Sequence, residues 1–330
     1  MEPTPTRAIL TALFMFAPGC ILNTAFPYNP RFSDGDDDGK AYIDGDCDEW
    51  PGHGGRPVIA GQDIYDTLQQ AVDAAKDGDV ITVCPLPGEQ EYGGLTVIEG
   101  KSISIVGGDD PDRIVLNGRN KDGDRQGSTI RVTGGSLTLE NLTITGGGGT
   151  LYDIDGDTLS FGGGVDAKGA TGLTIENCVI TGNLADIGGG VMAPLDVENA
   201  ETFILDSQLT DNVAYWGGGA YIQWGGQIIG TGIYRNDSDL AGGVFSGANT
   251  LTVTASVISE NTSRETVSGG GALIYDGLLR SEDSDWGQGD TNNTRNDVML
   301  ANTKTDKYKA YTDKTAGETF SCDASVPSCS

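Results

Sequence analysis

An aliphatic residue, two variable residues and an asparagine recur four times in the middle of the chain. The copies are Ile180-Thr-Gly-Asn183, Leu209-Thr-Asp-Asn212, Ile233-Tyr-Arg-Asn236 and Ile258-Ser-Glu-Asn261. The asparagines are 29, 24 and 25 residues apart. A glycine pair follows each one, at Gly189-Gly190, Gly218-Gly219, Gly242-Gly243 and Gly270-Gly271. In the first three copies the gap from Asn to the pair is six residues, and in the fourth it is nine. Val191, Ala220, Val244 and Ala272 come directly after the pairs. An altered earlier copy precedes them, Leu137-Thr-Leu-Glu-Asn-Leu-Thr-Ile-Thr-Gly146, parallel to Leu173-Thr-Ile-Glu-Asn-Cys-Val-Ile-Thr-Gly182. Self-similarity at such a period marks a stacked repeat architecture.

The period selects strands over helices. Apolar residues alternate over short runs, as in Leu137/Leu139 and Leu173/Ile175, the mark of a strand with one buried face. About 25 residues supply three short strands and three bends, one coil that stacks on the next at about 4.8 Å. A helical solenoid would need a wider apolar stripe and far less than the 51 glycines present. Glycine pairs suit bends where the backbone takes φ > 0 or passes close to the neighbouring coil. Asn183, Asn212, Asn236 and Asn261, at one bend of successive coils, can stack and hydrogen-bond as a structural ladder. Asp66 to Lys76 reads as a short amphipathic helix through Leu68, Val72 and Ala75, with Asp66 or Thr67 as its cap. Placed ahead of the first coil, it would cover an open apolar end. Strand-like runs follow at Asp79–Cys84, Tyr92–Ile98 and Ser102–Val106.

On these residues the run from Asp66 to Val106, with Ala-Val-Asp-Ala-Ala, Asp-Gly-Asp-Val-Ile-Thr-Val and Gly100-Lys-Ser-Ile-Ser-Ile, resembles the opening of pectin-lyase-like proteins. The coils from Gly162 to Ala272 resemble polymorphic outer-membrane protein repeats, with Ile or Leu where that family often carries Phe. The resemblance implies an all-β fold, a single-stranded right-handed parallel β-helix with an N-terminal capping α-helix. It implies little about function, since the fold hosts enzymes, adhesins and structural proteins alike.

Four segments follow: an export signal over 1–20, an acidic linker over 21–60, the β-helix over 61–289 and a polar cap or tail over 290–330. Arg7 precedes the apolar run Ala8–Ala17, too short to span a bilayer, which ends in Ala17-Pro18-Gly19-Cys20. Small residues before a cysteine resemble the bacterial lipobox, which makes Cys20 the lipidation candidate; an ordinary secretory signal is the plainer reading. Either predicts an exported protein, at the outer membrane or cell surface or outside the cell. A membrane would be engaged only through the lipid, because a net charge of −28 repels anionic surfaces and nucleic acid alike. In an oxidising compartment Cys322 can pair with Cys329 and Cys47 with Cys84, leaving Cys178 as a small buried hydrophobe.

Catalytic chemistry has weak support in the sequence, and no catalytic residue is assigned. The single histidine, His53, precedes the coils. Asp166 and Asp186 are the nearest approach to paired carboxylates on adjacent coils, with Arg235 and Asp237 further along. Calcium is the one cofactor suggested: Asp34, Asp36 and Asp38 alternate before Gly39, and Asp44 and Asp46 continue the pattern. A solvated acidic linker competes evenly with a Ca²⁺ loop there. Residues 147–164 interrupt the repeat and carry Asp153, Asp155 and Asp157, which makes them a candidate ligand-binding insertion. Tyr215, Trp216, Tyr221, Trp224 and Tyr234 are candidate sugar contacts. The expectation is a non-catalytic surface protein presenting a rigid face to an extracellular polysaccharide or a surface partner. A Ca²⁺-dependent polysaccharide lyase or hydrolase is the alternative.

Overall fold

A computed structural model describes residues 58–59, 65–86, 91–107, 114–265, 268–287, 292–294, 297–302, 307–311, 318–325 and 328–330. The chain winds through about seven turns of a parallel β-solenoid. Each turn contributes one strand to each of three long sheets. Sheet I runs through Val80–Val83, Ile103–Gly107, Ser136–Glu140, Gly172–Glu176, Glu201–Leu205, Gly226–Ile229, Thr250–Thr254 and Leu278–Ser284. Sheet II stacks Tyr92–Gly93, Val115–Asn117, Thr143–Thr145, Val179–Thr181, Gln208–Thr210, Gly232–Tyr234 and Val257–Ser259. Sheet III stacks Thr96–Ile98, Ile130–Val132, Val165–Asp166, Val191–Met192, Ala220–Ile222, Val244–Ser246, Ala272–Tyr275 and Val298–Asn302. A fourth, short sheet of Val213–Trp216, Asp237–Leu240 and Thr262–Ser263 turns the later coils four-sided.

Register explains the core. Ile81, Ile105, Leu139, Ile175, Ile204, Ile228 and Val253 pair in one unbroken column of sheet I, all buried. Leu116, Ile144, Ile180, Leu209, Ile233 and Ile258 form the matching column of sheet II. Each fully buried Leu or Ile contributes roughly 1.5–3 kcal/mol, so these columns are a large part of one continuous core. The glycine pairs are required by close approach between coils. A β-carbon on Gly218 would stand 2.5 Å from the Gly242 carbonyl oxygen, and one on Gly219 would stand 2.6 Å from that of Gly243.

Both ends are plugged. The helix spans Leu68–Ala74, shorter at each end than the pattern predicts. Thr67 is its cap, accepting from the Gln70 amide at 3.2 Å, and Ala75 already leaves the helix with ψ 147°. Leu68, Ala71 and Val72 are buried on the first coil, and Lys101 Nζ donates to the free carbonyls of Val72 (2.8 Å) and Ala75 (2.9 Å). The predicted strand Tyr92–Ile98 is two strands, because Gly94 at φ +104° turns the chain from sheet II to sheet III. At the far end the parallel ladder continues past residue 289, where the repeat fades, to Val298–Asn302. There Trp286 fills the interior, bonded to Ser281 Oγ at 3.0 Å and packed on Phe320. Antiparallel strands Lys307–Tyr311, Glu318–Asp323 and Ser328–Cys329 then close the sheet edges. Cys322 is bonded to Cys329. Cys84 is also disulfide-bonded, and its expected partner Cys47 lies outside the described residues.

Candidate functional site

Two polar ladders hold the bends from which the outer faces project. Asn183 donates its backbone N–H (3.0 Å) and its Nδ2 (3.1 Å) to Asn212 Oδ1. Asn212 makes the same pair of bonds to Asn236, Asn236 to Asn261, and Asn261 to Asn293. Each Nδ2 also reaches a backbone carbonyl in the coil below, such as Ile180 for Asn212 at 2.9 Å. All five asparagines are buried. Asn293 escapes the sequence pattern because no aliphatic residue stands three positions before it. The second ladder, at the turn from sheet I to sheet II, was not legible either. The Cys178, Ser207, Thr231 and Ser256 amides donate to the side-chain oxygens of Ser207, Thr231, Ser256 and Ser284 respectively. The unpaired Cys178 is thus the first step of a hydroxyl ladder, and burial pushes its thiol up to about 12.

The interruption at 147–164 is an antiparallel hairpin, Thr150–Ile154 with Asp157–Phe161. Asp155 (φ 54°) and Gly156 (φ 94°) form its two-residue turn, the backbone that Asp-Gly favours. Asp153 accepts from the Gly156 amide at 3.0 Å, and Asp153, Asp155 and Asp157 are all exposed at the tip. Among the described residues, no three Asp, Glu, His or Cys side chains gather closely enough to hold a metal ion.

Asp166 and Asp186 both meet this hairpin. Asp166 points outward from sheet III yet is fully buried, because Tyr152 lies over it and donates its hydroxyl at 2.7 Å. The Lys168 amide donates to its other oxygen at 3.1 Å, and Arg131 Nε stands 4.0 Å away, too far for a hydrogen bond. Burial dominates and raises the Asp166 carboxyl above its ordinary range, despite these partners. Burial, then the Asp166 charge, pushes the Tyr152 hydroxyl up to about 12. Arg131 and Lys168 sit over the Tyr152 ring at 5.5 and 5.1 Å, and Lys168 pairs with Asp196 at 2.6 Å. Asp186 Oδ2 accepts from both the amide and the hydroxyl of Ser160, each at 2.7 Å. The two aspartates therefore clamp the hairpin. Arg235 pairs with Asp211 on the coil below, and Asp237 with Arg264.

Beyond the hairpin the outward column of sheet III turns aromatic. Tyr221 and Phe245 stack at 4.5 Å, with Trp216 and Tyr275 at 6.1 and 5.8 Å from Phe245 and Tyr215 at 6.1 Å from Trp216. Phe161, Ile187, Met192, Leu273 and Met299 extend this cluster along the molecule. Tyr215 is 50% exposed and Tyr275 40%, so the row offers ring faces to solvent on a support of buried ones. Trp224 and Tyr234 lie elsewhere: Trp224 bonds the Leu195 carbonyl, and Tyr234 bonds Gln208 on sheet II. Cys20, Asp34, Asp36, Asp38, Asp44, Asp46 and His53 lie outside the described residues. No known protein family and no curated protein sequence matches this chain.

Proposed function

We propose that the chain is an exported, non-catalytic β-solenoid, anchored by lipid at Cys20, that presents a rigid face to extracellular carbohydrate. The observation that carries this reading is the aromatic row of Tyr215, Trp216, Tyr221, Phe245 and Tyr275. Tyr215 and Tyr275 are exposed beside the buried, register-paired Tyr221 and Phe245, and rings supported in this way suit the apolar faces of sugar rings. The likeness of its opening to pectin-lyase-like proteins and of its coils to polymorphic outer-membrane repeats belongs to the same proposal. So does Ca²⁺ binding by Asp34, Asp36, Asp38, Asp44 and Asp46. Against the lyase or hydrolase alternative stand the two nearest carboxylates: Asp166 is covered by Tyr152, and Asp186 is engaged by Ser160.

A glycan array probed with the chain from Cys20 onward, with and without Ca²⁺, tests the reading. Polysaccharide should be retained most by the unchanged protein and clearly less by Tyr215→Ala and Tyr275→Ala variants that keep the parent's melting temperature. Equal retention by both variants contradicts the assignment of this face. Mass spectrometry of the mature N-terminus should find a diacylglyceryl group on Cys20, and an unmodified cysteine or cleavage elsewhere contradicts the anchor.

A further inference from the structure

One stretch of sheet I breaks the column rule. Its second inward column reads Ile103, Leu137, Leu173, then Thr202 and Gly226, then Leu251 and Leu279. Thr202 and Gly226 stand where the other coils carry large aliphatic side chains. Glu201–Leu205 pairs with the preceding coil along its full length, but with Gly226–Ile229 only from Phe203↔Gln227 onward. A β-carbon on Gly226 would lie 2.7 Å from the Thr202 carbonyl oxygen, so only glycine lets the chain pass here. Outside this break lies a groove of about 230 Å³, lined among others by Glu201, Phe203, Trp224, Gln227, Thr250 and Thr252.

The wall of this groove is fixed. Trp224 Nε1 donates to the Leu195 carbonyl at 2.9 Å, and the Trp224 carbonyl accepts from Asn249 Nδ2 at 3.2 Å. Asn249 Nδ2 also donates to Asn199 Oδ1 at 2.9 Å, which ties together the two loops that enter the sheet. An indole already held in place and a phenyl ring therefore stand beside an exposed amide and two hydroxyls.

We propose that this groove binds one uncharged sugar ring of a polysaccharide, as a second contact separate from the aromatic row. The proposal rests on the carbohydrate reading above and gives it a place and a ligand class. Aromatic walls with a few placed amide and hydroxyl groups are what a sugar ring requires, one apolar face and a polar rim. The volume lies below the several hundred Å³ of larger ligand sites, which suits a single ring. Glu201 and the net charge of −28 disfavour uronates, leaving neutral hexoses or pentoses.

Tryptophan emission of the full chain, titrated with cellotriose, mannotriose, xylotriose and trigalacturonate, tests this. A neutral trisaccharide should shift the emission, and the shift should vanish in Trp224→Phe but persist in Tyr215→Ala. By calorimetry Gln227→Ala, at an exposed position that folding does not need, should weaken that trisaccharide by about tenfold. A shift lost in Tyr215→Ala but kept in Trp224→Phe, with unchanged affinity in Gln227→Ala, overturns the groove and leaves the carbohydrate reading standing. Trigalacturonate binding as tightly as a neutral sugar overturns the ligand class. Binding of none of the four sugars overturns the groove, and the carbohydrate reading falls with it if the glycan array is blank as well.

Discussion

Two of the bends in each coil carry a side-chain ladder, and each ladder has its own chemistry. The residue before each step of the hydroxyl ladder is left-handed: Asn177, Asp206, Gly230, Ala255 and Asp283 have φ between 46° and 61°, as does Asn141 before Leu142 one coil earlier. Asn, Asp and Gly accept that conformation, whereas alanine has no side-chain bond to offset its roughly 1–2 kcal/mol cost. Ala255→Gly, at an exposed position, should therefore stabilise the protein by up to about 1 kcal/mol in urea unfolding. Unchanged or lower stability contradicts the strain assigned to Ala255. The asparagine ladder behaves oppositely. Removing the Asn212 side chain strips the buried Asn183 N–H and the Ile180 carbonyl of their partners. Each loss costs about 1–3 kcal/mol, so Asn212→Ala should lower stability by several kcal/mol, while Asn177→Ala, exposed but left-handed, should cost only about 1 kcal/mol. Equal effects at the two sites contradict this division.

The hairpin Thr150–Phe161 is an element grafted on a regular frame, and its two clamps differ. The Ser160–Asp186 contact is a reciprocal lock between the hairpin and the next coil, whereas Tyr152–Asp166 buries a carboxyl beneath a phenol. Tyr152→Phe removes the hydroxyl donor from Asp166 Oδ2, leaving the Lys168 amide on Oδ1, and should cost about 1–3 kcal/mol, read as faster amide exchange over residues 150–161. Both shifts in this pair are upward, so each group's contribution is lost as pH rises. For Tyr152 the folded value is about 12 against an unfolded value near 10. Its contribution is complete below pH 10 and fades as pH climbs through 12. Hairpin protection should thus fall selectively in strong alkali, and a hairpin that outlasts the coils there contradicts the clamp. None of this was legible from 147–164, where only the acids and the broken repeat show. Asp-Gly at 155–156 was a hairpin signal, but its flanks Tyr152 and Phe161 turn apolar only against the finished sheet III.

At the scale of the molecule the sequence was most legible where it repeats. The spacings 29, 24 and 25 are the lengths of coils whose asparagines bond one to the next. Legibility failed where a coil substitutes different atoms for the same role. Asn293 closes the ladder without an aliphatic residue three positions before it, Trp286 fills the interior of the last coil with a single large ring, and Cys178 stands in for a hydroxyl. Tyr215, Trp216 and Tyr221 of the aromatic row were named from sequence, but Phe245 and Tyr275 join them only through the pairing of coils, and Trp224 and Tyr234 lie elsewhere. Capped at both ends and stitched by two ladders, the solenoid holds its outer faces on a continuous hydrogen-bonded frame. The central claim is that such a face holds carbohydrate without cutting it. The direct measurement is chromatography of chain length for each polysaccharide retained on the glycan array, after long incubation with the protein and Ca²⁺. Retention with the chain-length profile unchanged is the predicted result, and release of unsaturated or shortened oligosaccharides would contradict it.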